Sequence, residues 1–172
     1  ANELDSNRAN LYKELYGKTK MIQGDIRDKI DEIIEISLKN KVQFLIATPP
    51  CQGFSIAGRR DYTDDRNDLI HYVLKAIDKI NPEYVVIENV QNFLKHSITY
   101  GKYKGSIISV IKRKFSNKYN IEHGILNAKD YGIPQNRERV IIVSIRNDID
   151  RNKFVFPSPV ELKLKLKDIL ED

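Results

Sequence analysis

The run Phe44-Leu45-Ile46-Ala47 is followed by Thr48-Pro49-Pro50, and the chain's single cysteine, Cys51, comes next. A continuous apolar run bounded by a breaker marks a buried strand. Proline has no N–H to give to a sheet ladder, so the strand ends where the prolines begin. Cys51 therefore sits just past a strand's carboxyl end, on stiff backbone that leads into a glycine-containing loop. In an open α/β sheet, ligands bind in the crevice outside the carboxyl ends of the strands. A lone cysteine is usually a small buried hydrophobe. The prolines before this one and the loop after it make it a candidate nucleophile instead.

The rest of the chain alternates apolar runs with helical stripes. Residues 1–5 leave room only for the end of a strand, and Leu11, Tyr12 and Leu15 mark a short helix ending near Gly17. Met21 to Ile26 reads as a strand and its exit, and Ile30, Ile33, Ile34 and Leu38 recur at helical spacing with Asp28 as N-cap. Residues 49–68 form a long polar loop, of the length usually reserved for function. Leu69, Ile70, Val73, Ile77 and Ile80 stripe a helix that ends at Asn81-Pro82. Tyr84 to Ile87 is a second buried strand, closed by Glu88-Asn89-Val90. A glycine- and lysine-rich link, Gly101 to Gly105, leads to a helix carrying Ile107, Ile108, Ile111 and Phe115. Strand material at Tyr119–Leu126, a loop over Asn127–Arg137 and a strand at Val140–Val143 follow. Phe154, Pro157 and Pro159 read as a link, and Leu162 to Leu170 as an amphipathic end segment. The pattern predicts an α/β fold whose sheet is rich in parallel strands and covered on both faces.

Length and composition restrict function only broadly. The 172 residues suit one domain or most of one, and a net charge of +5 permits a polyanionic partner without requiring it. One cysteine excludes an internal disulfide and suits a reducing compartment. His71, His96 and His123 lie far apart in sequence with no second cysteine, so no metal site is expected. No run reaches the length of a membrane span, so no membrane partner is expected either.

Three features converge on one sheet edge. Cys51 follows one strand and Glu88 the next; if the strands are neighbours, thiol and carboxyl face one crevice. Burial there would suit Glu88 to donate a proton; a salt-bridged or capping carboxylate is the alternative, which its place directly after four apolar strand residues disfavours. The third feature, Gln135-Asn136-Arg137-Glu138-Arg139, precedes the last strand and could equally be a solvated charge run.

Taken in order, Pro49-Pro50-Cys51-Gln52-Gly53-Phe54-Ser55, Glu88-Asn89-Val90 and Gln135-x-Arg137-x-Arg139 closely resemble the cytosine-C5 DNA methyltransferases. Asp65-Arg66-x-x-Leu69, Tyr131-Gly132-Ile133-Pro134 and Phe156-Pro157-x-Pro159 extend the likeness over nearly the whole chain. The resemblance implies a Rossmann-like S-adenosylmethionine-dependent fold and a chemistry that suits these residue types. Cytosine C5 is a poor nucleophile until a thiolate adds to C6. Charge then develops on the ring, and a hydrogen bond at N3 stabilises it.

The catalytic set so implied is Cys51 as nucleophile, Glu88 at N3, Arg139 at the base oxygen and Arg137 bracing the loop. Gln52, Ser55, Asn89, Val90 and Gln135 fall on the substrate side. The Arg59/Arg60 pair would lie near phosphates of a double-stranded DNA whose cytosine is flipped out, or equally be simply solvated. Glu3, Asp25, Ile26, Pro49 and Leu69 match positions that hold S-adenosylmethionine. Read without the family, Asp25 could instead cap a turn and Ile26 could be core.

Two family parts are expected outside this stretch. The first strand and its glycine-rich loop would precede Ala1, and the recognition region would follow Asp172. Residues 1–150 then form a partial catalytic domain and 151–172 a link. On this reading the chain is a truncated piece, a proteolytic core or one subunit of a split enzyme, weak or inactive alone. Its setting is the cytoplasm of a bacterium or archaeon with a restriction–modification system. Other readings are a tRNA cytosine-C5 methyltransferase of the same fold, a non-catalytic partner module, or a thiol hydrolase. The last needs a histidine base beside Cys51, and no histidine sits in a matching motif.

Overall fold

The computed structural model describes residues 1–50 and 69–160. Cys51, Gln52, Ser55, Arg59 and Arg60 and the expected end segment 162–170 lie outside the described residues. The first half runs β1 (Asn2–Glu3), α1 (Ser6–Leu15), β2 (Ile22–Gln23), α2 (Ile26–Lys39), β3 (Phe44–Ala47) and α3 (Leu69–Ile80). The second runs β4 (Tyr84–Asn89), β5 (Ser97–Tyr100), β6 (Tyr103–Ser106), α4 (Ile107–Phe115), β7 (Tyr119–Asn127) and β8 (Glu138–Arg146). Short 3-10 turns cover Gln91–Lys95 and Ala128–Tyr131.

The main sheet has the order β3-β4-β8-β7, while β1 and β2 form a separate parallel pair. β3 and β4 are parallel neighbours, with Ala47 opposite Ile87. β8 is antiparallel to both β4 and β7, so the sheet is mixed rather than parallel-rich. The reason lies in the connection: residues 128–137 join β7 to β8 without a crossover helix, and such a return gives an antiparallel pair.

One face of this sheet carries the core. Val85, Ile87, Val140 and Ile142 pack with Ile70, Leu74 and Ile77 of α3 and with Ile107, Val110 and Ile111 of α4. A smaller cluster joins Ile30 and Ile34 of α2 to Ala76 and Ile80 of α3. The opposite face is open where β3 and β4 meet: Phe44 is 53% and Ile46 64% exposed. Among the described residues the helices thus cover one face, not the two expected.

Three local expectations change. Helix α2 begins at Ile26, and its N-cap is Asp25, not Asp28; the Asp25 carboxylate accepts from the Arg27 N–H at 2.8 Å. The link at 101–105 is a β-hairpin in which Tyr100 pairs with Tyr103. Gly101 opens its two-residue turn with φ +58°, the positive angle such a turn needs at its first position. The segment after β8 is held rather than loose. Phe156 sits 3.2 Å from where a side chain on Gly124 would begin, and Tyr131 Oη donates to the Pro157 carbonyl at 3.0 Å.

Ile87 is 1% exposed, so Ile87→Ala should cost about 2–5 kcal/mol in urea unfolding. Leu38, 52% exposed, should tolerate alanine within about 0.5 kcal/mol. Tyr119 supplies a pH test. Its hydroxyl donates to the Pro82 carbonyl at 2.7 Å, and burial pushes the phenol from 10.0 up to about 12. The unfolded chain loses that proton first, so the contribution is full below pH 10 and is lost as pH rises toward 12. Unfolding midpoints should fall across that window, and Tyr119→Phe should flatten the fall.

Candidate active site

Register decides which side chains meet. In the β4–β8 pair, Glu88 lies opposite Ile141 and Asn89 opposite Val140. Alternation then sends Ile87, Asn89 and Val140 to the helix-covered face, and Glu88, Ile141 and Arg139 to the open face. Arg139 is the diagonal neighbour of Glu88, within reach of a long side chain. Its Nε lies 2.9 Å from Glu88 Oε1. The other end of the guanidinium is also held, since Nη1 donates to the Glu138 carbonyl at 2.7 Å.

An open cleft forms where these strands end. Thr48, Pro49 and Pro50 line it from β3, Glu88, Asn89 and Val90 from β4, and Arg137 and Arg139 from β8. Pro50, the last described residue before Cys51, is part of that lining. Glu88 is not buried as expected: its side chain is 30% exposed and ion-paired, the reading that the sequence disfavoured. Gln135 is exposed on the preceding turn, and the residues lining the cleft do not include it.

Asn89 joins the two strand ends. It is 2% exposed, and its Nδ2 donates to the Pro49 carbonyl at 2.9 Å. Its Oδ1 accepts from the Val90 N–H at 2.8 Å. The β3–β4 ladder ends at Ala47 opposite Ile87, and beyond it this amide gives the Pro49 carbonyl a side-chain donor. Asn89, expected on the substrate side, is thus occupied with backbone. Asn127, at the end of β7, was not legible as part of the site. It is 8% exposed, and its side chain contacts Asn136 and the Arg137 backbone. Asparagine between a strand and a turn is the one available signal.

The expected cofactor residues lie at two other strand ends and on α3. Glu3 ends β1 and pairs in register with Gln23 of β2. Its Oε1 accepts from the Asp5 N–H at 2.9 Å. Asp25 takes the Arg27 side chain on both oxygens, at 2.7–3.1 Å, and that hydrogen bonding holds its carboxyl below the ordinary 3.8. Ile26 packs on the α2–α3 cluster, and Leu69 opens α3. Among the described residues no group of three or more His, Cys, Asp or Glu side chains could hold a metal ion. Among them, too, no helix is long and apolar enough to cross a membrane.

With fold and cleft defined, similarity to known proteins gives the class. The C-5 cytosine-specific DNA methylase family matches residues 1–172, and the chain belongs to that family. It is 45% identical to the type II methyltransferase M1.HgaI of Avibacterium volantium, over 83% of this chain and 42% of that protein. It is 33% identical to M.HhaI of Haemophilus parahaemolyticus, over 99% of this chain and 49% of that one. The chain therefore spans about half the length of the curated relatives it matches. A solved structure from an E. coli prophage, provisionally described as a DNA modification methyltransferase, superposes with TM-score 0.72. That match is 27% identical and covers 98% of this chain and 46% of the other. The Spodoptera frugiperda DNMT2 structure, at 21% identity and TM-score 0.69, shares the fold over all of this chain and 51% of its own.

The Asn89 clamp can be weighed by removal. Asn89→Leu keeps bulk but strands the Pro49 carbonyl, and should cost about 1–3 kcal/mol in chemical unfolding. Asn89→Asp should be no milder, because a carboxylate oxygen would then face that carbonyl.

Proposed function

We propose that this chain is the catalytic part of a DNA (cytosine-5-)-methyltransferase from a bacterial restriction–modification system. The observation that carries this reading is the convergence of three separated motifs on one cleft. Pro49-Pro50, Glu88-Asn89-Val90 and Arg137/Arg139 come from three strands and line the same opening. Family membership and the type II methyltransferase relatives support it.

In this reading Cys51 adds as thiolate to C6 of a cytosine flipped out of duplex DNA. The new S–C6 bond makes C5 nucleophilic. Glu88, steadied by Arg139, holds N3, where charge develops. S-adenosylmethionine, when bound, supplies an electrophilic methyl for C5. Loss of the C5 proton then expels the Cys51 sulfur and restores the ring. The donor set fits that cofactor: Glu3 offers a carboxylate at a strand end, suited to a ribose diol. Asp25, Ile26, Pro49 and Leu69 would complete the contacts. Gln52, Ser55, Val90 and Gln135 would face the DNA, and residues 151–172 would link to a recognition region. A cytoplasmic setting accompanies the reading.

The same reading includes completion by further segments, joined or supplied by a second subunit. Among the described residues β3 is an edge strand of the main sheet, and β1–β2 form a separate pair. An apolar edge of that kind suits a partner strand.

Duplex DNA carrying 5-fluorocytosine tests the chemistry, because fluorine at C5 blocks the elimination that frees the enzyme. A denaturing gel should show a shifted, S-adenosylmethionine-dependent band from the protein and none from Cys51→Ser. Glu88→Gln should slow its appearance by about 10²–10⁴-fold. A band that survives Cys51→Ser, or none from the unaltered protein with its completing segments, overturns the proposal.

A further inference from the structure

Between β7 and β8 the chain leaves the ladder at Asn127 and returns at Glu138, the two residues being paired. The excursion carries a 3-10 turn, Ala128–Tyr131, and Gly132 at φ +82°. It also carries Pro134, which has no N–H to give, and it delivers Arg137 and Arg139 to the cleft. One backbone bond ties its two ends, Ala128 N–H to the Arg137 carbonyl at 3.0 Å.

The middle of the excursion is held by Tyr131 Oη on the Pro157 carbonyl and by the Val160 N–H on the Asp130 carbonyl, and one side chain ties its two ends. Asn127 Oδ1 accepts from the Lys129 N–H at 3.3 Å, where the excursion begins, and from the Arg137 N–H at 3.1 Å, where it ends. Asn127 Nδ2 donates to Asn136 Oδ1 at 2.7 Å. Only three polar residues are buried among the described residues: Asn89, Asn127 and Ser144. Asn89 fixes the Pro49 wall of the cleft. Asn127 stands in the same relation to the arginine wall.

We propose that Asn127 is a positioning residue whose amide locks the return of the 128–137 excursion and so fixes Arg137 at the cleft beside Arg139. It touches neither substrate nor cofactor; it acts through the arginine arm. Arg139 already pairs with Leu126 in the ladder, whereas Arg137 precedes it; without the amide the Arg137 end of the excursion could shift, and a misplacement near 1 Å is enough to slow a reaction by about 10²-fold. Both acceptor bonds end on backbone N–H groups, so the lock does not depend on which residues the excursion carries. The one side-chain partner, Asn136, is exposed and free to rotate its amide.

Three variants separate the lock from plain stability. Asn127→Leu removes every bond. Asn127→Asp keeps both acceptor bonds, and the Asn136 amide can turn to donate to the new oxygen. Asn136→Ala alters an exposed residue and removes one bond. Hydrogen exchange of residues 133–139 is read first, with the cofactor-free protein at native pH. Exchange should quicken at least about tenfold in Asn127→Leu, less in Asn136→Ala, and match the parent in Asn127→Asp. Unchanged exchange in Asn127→Leu overturns the proposal, as does an Asn127→Asp that behaves like leucine. If Asn127→Leu does not fold, the aspartate and Asn136→Ala pair decides by the same criterion.

The consequence for catalysis rests on the function proposed above. The rate of Cys51 trapping on 5-fluorocytosine DNA should fall about 10²-fold in Asn127→Leu, with DNA and S-adenosylmethionine affinities held. A merely structural residue would change affinities or stability without that split. Trapping at the parent rate overturns the proposal. Altered exchange with no trapping even by the parent protein with its completing segments supports the lock and counts instead against the methyltransferase reading.

Discussion

The in-register parallel pairing of β3 with β4 is the constraint on which the site depends. β3 must stop at Ala47 because prolines follow, while β4 runs two residues further, to Asn89. Those two extra residues are the useful ones. They project past the last β3 pair and take partners from β8 on the other side. A one-residue slip would turn Glu88 into the helix-covered core and Asn89 out to the open face. The core forbids it: Val85 and Ile87 are each 1% exposed and lie under α3 and α4. Packing of ordinary aliphatic side chains thus fixes where the carboxylate points.

The same alternation divides labour at the strand ends. Amides go to the buried face, where an unsatisfied polar group is costly and each bond is therefore specific. Charges go to the open face, where they keep contact with water. Asn89 and Asn127 grip backbone from beneath, while Glu88 and Arg139 pair above. The β3–β4 ladder has ended before Pro49, and the excursion before Arg137 leaves the ladder altogether. At both places a side-chain amide supplies the bond that strand geometry no longer offers.

Much of this was legible in the chain itself, for physical reasons. Apolar runs ended by prolines marked β3, and the closing Glu88 marked β4, because burial on the sheet demands both. The neighbour relation of those strands followed from their sequence adjacency. The antiparallel β7–β8 return did not, since strand direction is set by the connection and both strands show similar apolar content. The hairpin at Ser97–Ser106 was hidden because its only strong signal is Gly101, and a stretch rich in glycine and lysine also suits a link. Asn127 was invisible for another reason. An asparagine before a turn announces a cap, and only the fold shows that the same oxygen also meets the returning chain ten residues on.

The ion pair between Glu88 and Arg139 marks where stability and function part. With 30% and 26% of their side chains exposed, the two groups gain little by pairing, of the order of 0–1 kcal/mol. What the pair supplies is orientation: Nε on the carboxylate and Nη1 on the Glu138 carbonyl leave the guanidinium few ways to turn. A weakly stabilising contact can be reorganised cheaply when a substrate enters, which a buried one could not. Stability is vested instead in the aliphatic core and the two buried asparagines, one step back from the cleft. A scaffold so divided can keep its strand ends fixed while the charged groups above them exchange partners.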